Sequence, residues 1–141
     1  LPLPVIAATA QERSLLHQQV GVEKNLTLAA QARVSFLGIG DLGPRAPLFE
    51  DGFVSQDELK ALQRAGGVGE MLGWTFDANG VLLEGMINDR VASAPIPSRE
   101  TSLVIAAARG ANKVEAIRAA VRRRLVNGLI TDEITAQSLL D

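Results

Sequence analysis

Short apolar stretches alternate along this chain with segments whose apolar residues recur at helical spacing. The apolar stretches cover residues 5–8, 34–40 and 102–108. The second and third are apolar on both faces, as strands covered on both sides of a sheet are. Because parallel strands are joined through helices, this alternation predicts an α/β fold of Rossmann-like type with a mainly parallel sheet flanked by helices.

The predicted helices have recognisable boundaries. Ser55 and Glu58 form a capping box, so one helix is expected from Gln56 to about Gly66. The other helices, and one further short strand at 127–131, follow from apolar spacing and cap residues. Those helices are predicted at 10–19, 22–31, 112–125 and 132–140. The glycine- and proline-rich segment 41–53 is expected to be a loop.

An excursion near residues 70–90 interrupts the alternation. The sequence GGVGEMLGWTFDANGVLLEG, residues 66–85, contains two apolar runs separated by Asp77–Gly80. An aspartate followed by Asn-Gly is typical of a tight turn between strands. We therefore expect a small hairpin here, with its turn at Asp77–Gly80.

Composition excludes several kinds of site. The 141 residues carry a formal net charge of −2 and contain no cysteine and one histidine, His17. A nucleic-acid surface needs clustered cations, so DNA contact by this segment is not expected. Thiolate and histidine-rich metal sites are also not expected, and no cofactor is predicted. The absence of cysteine fits a reducing, cytoplasmic setting.

In parallel α/β sheets, ligands bind beyond the carboxyl ends of the strands. Those ends are predicted at 39–45, 109–113 and 131–132. Lys113 follows the turn Gly110-Ala-Asn, and Asn112 is a favourable N-cap, so backbone N–H groups and a cation would point to the crevice together. The alternative is a solvated lysine on an amphipathic helix.

Three further residues are candidates for ligand contacts. Glu70 lies among glycines and apolar residues, where a carboxylate needs a hydroxyl or cation partner, although it could be an exposed glutamate at a strand edge. Asp41 directly follows the strand end and could accept hydrogen bonds from ligand hydroxyls or cap the next turn. Arg45 could bind an anion or simply be solvated.

The ordered motifs LGIGDL, GGVGEMLGWTFDANG, NDR, GANKVEAI and LITDEITAQSLL span nearly all of the chain. Their order and spacing resemble the sugar-binding effector domain of SorC/DeoR-type bacterial transcriptional regulators. The resemblance implies a fold similar to glucosamine-6-phosphate deaminase and ribose-5-phosphate isomerase. It also implies a sugar or phosphosugar effector, and binding of operator DNA through an N-terminal helix-turn-helix.

Matched to the motifs of that family, Glu70 and Lys113 are the residues expected to contact the sugar. Arg45 is a looser match to a ligand-binding arginine, and Asp41 is expected at the mouth of the same pocket. The chain departs from the family at Arg109–Gly110, where two glycines are usual, so a bulky cation is added near the pocket.

The resemblance also implies how the chain is placed in a longer protein. Residues 1–141 are expected to be the C-terminal part of the effector domain, with the helix-turn-helix and a phosphate-binding loop upstream. Such a part is expected to expose apolar surface and to form a homo-oligomer, a dimer or tetramer. An alternative is a sugar-phosphate isomerase or deaminase with Glu70 as general base. That reaction needs a second proton-transfer group, and no histidine lies near the pocket motifs, so a non-enzymatic binding module is favoured.

Overall fold

The computed structural model describes residues 5–141, and Leu1–Pro4, the start of the predicted domain, lie outside the described residues. The elements of the described part of the chain follow in order. They are α1 Ala10–His17, α2 Val20–Ala30, β1 Val34–Gly38, β2 Gly40–Asp41, α3 Pro47–Glu50, α4 Gln56–Arg64, β3 Gly67–Met71, β4 Trp74–Asp77, β5 Leu103–Ala107, α5 Val114–Arg122, β6 Gly128–Ile130 and α6 Glu133–Leu140. Single 3-10 turns lie at Asn88–Arg90 and Ala111–Lys113.

A three-stranded parallel sheet is the centre of the fold. Its strand order is β1-β5-β6, with Val34 opposite Leu103 at one end and Gly38 opposite Ala107 at the other. β6 pairs in parallel with β5 through the register of Ile105 with Gly128. The carboxyl ends of all three strands therefore lie at one edge, which confirms the predicted α/β class and the predicted common edge.

Only one face of this sheet is covered. Leu37, Val104 and Ala106 point to the covered face, where the buried face of α5 packs on them. On the opposite face Phe36 is 67% exposed, and three further apolar side chains are 47–55% exposed. These are Val34, Leu103 and Ile130. The prediction that these strands are covered on both faces is therefore wrong for this chain, because these four side chains stay 47–67% exposed.

A small antiparallel sheet follows directly on the first. The chain leaves β1 at Gly38, and after Ile39 it enters β2, so the predicted strand 34–40 is divided between two sheets. β2 pairs with β3 and β3 pairs with β4. This sheet is the predicted excursion, and it carries Glu70 in the middle of β3, opposite Gly40.

The turn of the main hairpin is not where the sequence predicted it. Met71 pairs with Trp74, so the two turn residues are Leu72 and Gly73, both with positive φ. A leucine rarely adopts this conformation, which is why the sequence signal was missed. The predicted turn at Asp77–Gly80 does exist, but it leads only to an isolated bridge between Phe76 and Leu82.

Two other predictions need correction. Residues 5–8 do not form a regular strand: Ile6 makes a single antiparallel bridge to Val91, and the chain then turns at Thr9 to cap α1. The segment 41–53 is not wholly a loop, because α3 begins at Pro47, where the missing N–H of proline costs nothing. The capping box of Ser55 and Glu58 is confirmed at the start of α4.

Asn88, the first residue of the NDR motif, is hydrogen-bonded to strand β4 of the hairpin. Asn88 is buried, and its side-chain oxygen accepts hydrogen bonds from the backbone N–H and the hydroxyl of Thr75, at 2.9 and 2.8 Å. Its amide nitrogen donates to the carbonyls of Thr75 and Leu83. All four of these hydrogen bonds are made to other groups of the protein, so the Asn88 side chain is structural. It holds β4 against the segment that follows it.

Gly69 marks the closest approach between the small sheet and α5. A Cβ at this position would lie 2.5 Å from Ala116 Cβ, 2.9 Å from Phe76 Cζ and 3.0 Å from the Gly40 carbonyl oxygen. Two of these neighbours belong to the buried core and the third is backbone, so none can move aside cheaply.

We expect Gly69→Ala to lower the free energy of unfolding by about 1–3 kcal/mol, because the added methyl overpacks this junction. Gly38→Ala is the matched control, since a Cβ there meets nothing within 4 Å. Urea unfolding followed by circular dichroism measures both. Equal midpoints for the two variants would contradict the close-packing interpretation.

Candidate functional site

A cavity of about 320 Å³ opens at the carboxyl edge of the parallel sheet. Segments that are distant in sequence line it: the end of β1, the start of β2, α3, the β3–β4 turn and the 3-10 turn before α5. The lining residues are Val5, Gly38, Ile39, Gly40, Pro47, Leu48, Asp51, Phe53, Glu70, Leu72, Gly73 and Lys113. Most of these are apolar or glycine, and the charged members are two carboxylates and one lysine.

Glu70 is held in a defined position in this cavity. Its Oε2 accepts a hydrogen bond of 2.8 Å from the backbone N–H of Gly73, within the tight turn that follows β3. Gly40 lies opposite, and a side chain at Gly40 would collide with the Glu70 carboxylate. Burial raises the pKa of Glu70, while the Gly73 N–H and the charge of Lys113 partly oppose that shift. The carboxylate is therefore poorly solvated and gains from a further donor.

Lys113 contributes a cation to the same cavity. It is the last residue of the 3-10 turn and the residue that precedes α5. The sequence prediction that Asn112 caps this helix is wrong, because the 3-10 turn shifts the helix start. Asn112 instead donates from its amide nitrogen to Asp41 Oδ1 at 2.8 Å. Within residues 5–141, no carboxylate lies within 4.0 Å of the Lys113 ammonium group.

Asp41 is adjacent to the cavity but is not among its lining residues. It is 6% exposed, and besides the Asn112 amide its carboxylate accepts a hydrogen bond from the backbone N–H of Gly43 at 3.0 Å. These bonds tie β2 to the turn that carries Lys113. Asp41 therefore positions Lys113 indirectly, through its hydrogen bond to the adjacent residue Asn112.

Arg45 lies away from Glu70 and Lys113. Its side chain is 89% exposed and forms an ion pair of 3.1 Å with Glu50 on α3. The loop after β2 directs this residue to solvent, so the structure brings together two of the four predicted ligand contacts, Glu70 and Lys113, and places the other two elsewhere.

A second cavity, of about 640 Å³, lies beyond the ends of β5 and β6. It is lined by Ala107, Ala108, Arg109, Lys113, Ile130, Thr131 and Asp132. Lys113 is thus shared by both cavities. The positions after these strands were predicted from the sheet rule, but the contribution of Asp51 and Phe53 to the first cavity had no sequence signal, because they lie in an irregular segment.

The first cavity combines an acceptor and a donor of opposite charge on a partly apolar surface. A ligand with several hydroxyl groups can donate to Glu70 and accept from Lys113 at the same time. Among residues 5–141 there is no group of three or more histidine or acidic side chains arranged to hold a metal ion. His17 lies elsewhere, with Nε2 at 2.9 Å from the Ala92 carbonyl oxygen. No helix in this range is both long and apolar enough to cross a membrane.

The fold and this cavity place the chain among α/β domains with a cavity at the carboxyl edge of a parallel sheet. The Sugar-bind family model, described as "Putative sugar-binding domain", matches residues 1–141, the whole chain. The chain therefore belongs to this family of sugar-binding domains.

Two curated relatives are named as regulators. The chain is 38% identical over 140 residues to the erythritol catabolism regulatory protein EryD of Brucella abortus, with 99% of this chain and 44% of that protein covered. It is 30% identical over 144 residues to the deoxyribonucleoside regulator of Bacillus subtilis, with coverages of 100% and 45%. The chain spans less than half the length of these curated relatives.

Solved structures confirm the fold. The full-length sorbitol operon regulator SorC of Klebsiella pneumoniae superposes with a TM-score of 0.89 at 22% identity, over 100% of this chain and 46% of that one. A DeoR family transcriptional regulator from Listeria monocytogenes gives a TM-score of 0.90 at 20% identity, over 99% and 57%.

The raised pKa of Glu70 predicts a pH-dependent stability difference. Because the folded state holds this proton more tightly than the unfolded state, whose reference pKa is 4.5, stability from this group is present below pH 4.5 and is lost as pH rises through the folded pKa. Glu70→Gln has no ionisable carboxyl, so its stability does not fall with pH through this group, and its amide oxygen can still accept from the Gly73 N–H. We expect a higher Tm than the parent's at pH 7 and a vanishing difference below pH 4.5.

Thermal melts from pH 4 to pH 8 measure this difference, with Glu115→Gln as a control for the loss of one negative charge at an exposed helix position. A Tm difference for Glu70→Gln that does not change with pH would contradict the burial of the ionised carboxylate.

Proposed function

We propose that this chain is the effector-binding part of a bacterial transcriptional regulator and that it binds a sugar or phosphosugar between Glu70 and Lys113. The observation that carries the proposal is the cavity at the carboxyl edge of the sheet, which both side chains line although they are 43 positions apart in the sequence. Membership of the sugar-binding family supports it.

The chemistry of the cavity suits a polyhydroxylated ligand. The half-buried Glu70 carboxylate lacks full solvation and accepts well from ligand hydroxyls, while the Lys113 ammonium supplies charge-assisted donors. The apolar walls, formed by residues such as Phe53 and Leu72, contact the carbon skeleton. Asp41 contributes by holding the Lys113 turn, and Arg45 is not included because it is paired with Glu50 in solvent.

The rest of the proposal concerns the longer protein. We expect residues 1–141 to be the C-terminal part of the effector domain, in a cytoplasmic regulator whose helix-turn-helix and phosphate-binding loop lie upstream. Operator DNA is then contacted only by that upstream part. The sugar changes operator binding because it binds one of the protein's states more tightly than the other and shifts the population between them.

An isomerase or deaminase of the same fold is the second candidate, and the structure gives it less support. Such a reaction needs a second proton-transfer group opposite Glu70. The other carboxylate on the cavity wall is Asp51, and His17 is bonded to the Ala92 carbonyl outside the cavity. The named relatives are regulators, which favours a binding function.

Lys113→Ala and Glu70→Ala are each expected to weaken effector binding by roughly one to two orders of magnitude, because each removes a hydrogen bond to a charged group. Calorimetric titration of the full-length gene product with sugars and sugar phosphates measures the effect. Thermal melts check that the variants remain folded.

Arg45→Ala is the matched control, since it removes a cation at an exposed position outside the cavity. We expect it to bind the effector like the parent. If Lys113→Ala and Glu70→Ala also bind like the parent and keep its melting temperature, the cavity is not the effector site.

We further propose that the chain forms a homo-oligomer through the uncovered face of the parallel sheet. Parallel sheets are normally buried on both faces, and here an aromatic and three aliphatic side chains stay exposed on one face. This surface is apolar and belongs to rigid strands, so a second copy can cover it with little loss of conformational entropy.

Sedimentation velocity of the 141-residue chain is expected to show association that increases with concentration. Phe36→Glu should shift the distribution to the monomer, because it places a charge in the centre of that face. Leu15→Glu, at an exposed apolar position on α1, is the control and should leave association unchanged. A parent chain that stays monomeric at high concentration would refute this assembly.

A further inference from the structure

The second cavity has no role in the proposed sugar site as described so far. It lies at the same edge of the parallel sheet, beyond β5 and β6, and meets the first cavity at Lys113. A ligand bound against Lys113 from the first cavity can therefore extend a second group into this space.

The two cavities differ in the charged side chains that line them. The first cavity has two carboxylates, Glu70 and Asp51, and one cation, Lys113. The second has two cations, Arg109 and Lys113, and one carboxylate, Asp132. A ligand with hydroxyl groups at one end and an anionic group at the other suits this arrangement, because the hydroxyls donate to carboxylates and the anion binds cations.

Asp132 pairs only loosely with Arg109, and its carboxylate also caps a helix. Its Oδ1 accepts a hydrogen bond of 2.8 Å from the backbone N–H of Thr135 and caps α6. Its Oδ2 lies 3.8 Å from Arg109 Nη1, which is beyond hydrogen-bond distance. One carboxylate thus faces two cations at this cavity, and Lys113 is also the cation that interacts with Glu70 in the first cavity.

Arg109 has free capacity for an anion. Its side chain is 80% exposed, and none of the side-chain hydrogen bonds found within residues 5–141 uses its guanidinium. The backbone next to Arg109 is fixed, because the N–H of Gly110 donates a hydrogen bond of 2.9 Å to the Thr135 hydroxyl. The guanidinium therefore extends over the second cavity from an anchored backbone, and its planar fork suits bidentate binding of phosphate or carboxylate.

We propose that Arg109 is a specificity-determining residue that makes this domain select an acidic sugar derivative, with the anionic group in the second cavity. The ligand class is a polyol or sugar with a terminal phosphate monoester or carboxylate. The inference rests on the proposed function, because the hydroxylated part of the ligand is placed between Glu70 and Lys113. It adds that the neutral parent sugar is a poorer ligand.

The test is calorimetric titration of the full-length gene product with matched compounds. The panel comprises erythritol, ribitol and sorbitol, each with its terminal phosphate ester and its terminal aldonate. We expect the parent to bind an acidic member at least roughly tenfold more tightly than the neutral polyol of the same length. Whether the phosphate ester or the aldonate shows this preference identifies the anionic group.

Arg109→Gln should reduce that preference by roughly tenfold or more, since it removes the charge-assisted hydrogen bonds and so weakens binding of the acidic member more than binding of the neutral polyol. Arg109→Lys keeps the charge and should keep part of the preference. Arg64→Gln, at an exposed arginine in the last turn of α4, is the control and should behave like the parent.

The outcomes separate this inference from the proposed function. Equal affinity of the parent for neutral and acidic members, or an unchanged preference in Arg109→Gln, overturns the role of Arg109 while the sugar site stands. Binding that is unaffected by Lys113→Ala and Glu70→Ala, or no binding of any compound by the parent, overturns the sugar site and this inference with it.

Discussion

The junction between the two sheets is the constraint on which the rest of the structure depends. β2 begins two residues after β1 ends, so the small antiparallel sheet must lie directly against the carboxyl edge of the parallel sheet and the start of α5. Gly69 and Gly40 permit this approach, because a side chain at Gly69 would overlap Ala116 and Phe76, and one at Gly40 would overlap Glu70. Both glycines therefore allow the sheet that carries Glu70 to lie close to its neighbours.

That junction also sets the electrostatics of the site. Glu70 enters the cavity from a short strand with one backbone N–H as its donor, while Lys113 enters from a turn that Asp41 and Asn112 hold together. The carboxylate loses solvation without gaining a close ion pair, since attraction to Lys113 is weaker than the effect of burial. Such an unsatisfied pair favours a ligand that donates to one group and accepts from the other. Arg109 extends the positive side of the same arrangement.

Local signals in the sequence were reliable where they reflect short-range chemistry. The capping box at Ser55 and the alternation around β5 depend on neighbouring residues, and both were confirmed. The start of α5 was misjudged, because Asn112 is a favourable cap in isolation but is used by Asp41, a residue 71 positions away. The turn at Leu72–Gly73 was missed because leucine seldom takes a positive φ, and here Gly73 and the pairing of Met71 with Trp74 impose it.

The sequence by itself determined the α/β class and the common edge of the strand ends, and it predicted Glu70 and Lys113 as ligand contacts. Periodicity, caps and the order of motifs are properties of the chain alone, so they can be read without coordinates. The tertiary structure alone decided that Asp41 is bonded internally, that Arg45 pairs with Glu50 in solvent, and that Lys113 is shared by two cavities of opposite charge balance. These outcomes depend on which distant segments meet, and a side chain's partner, burial and charge environment are set by that contact and not by its neighbours in sequence.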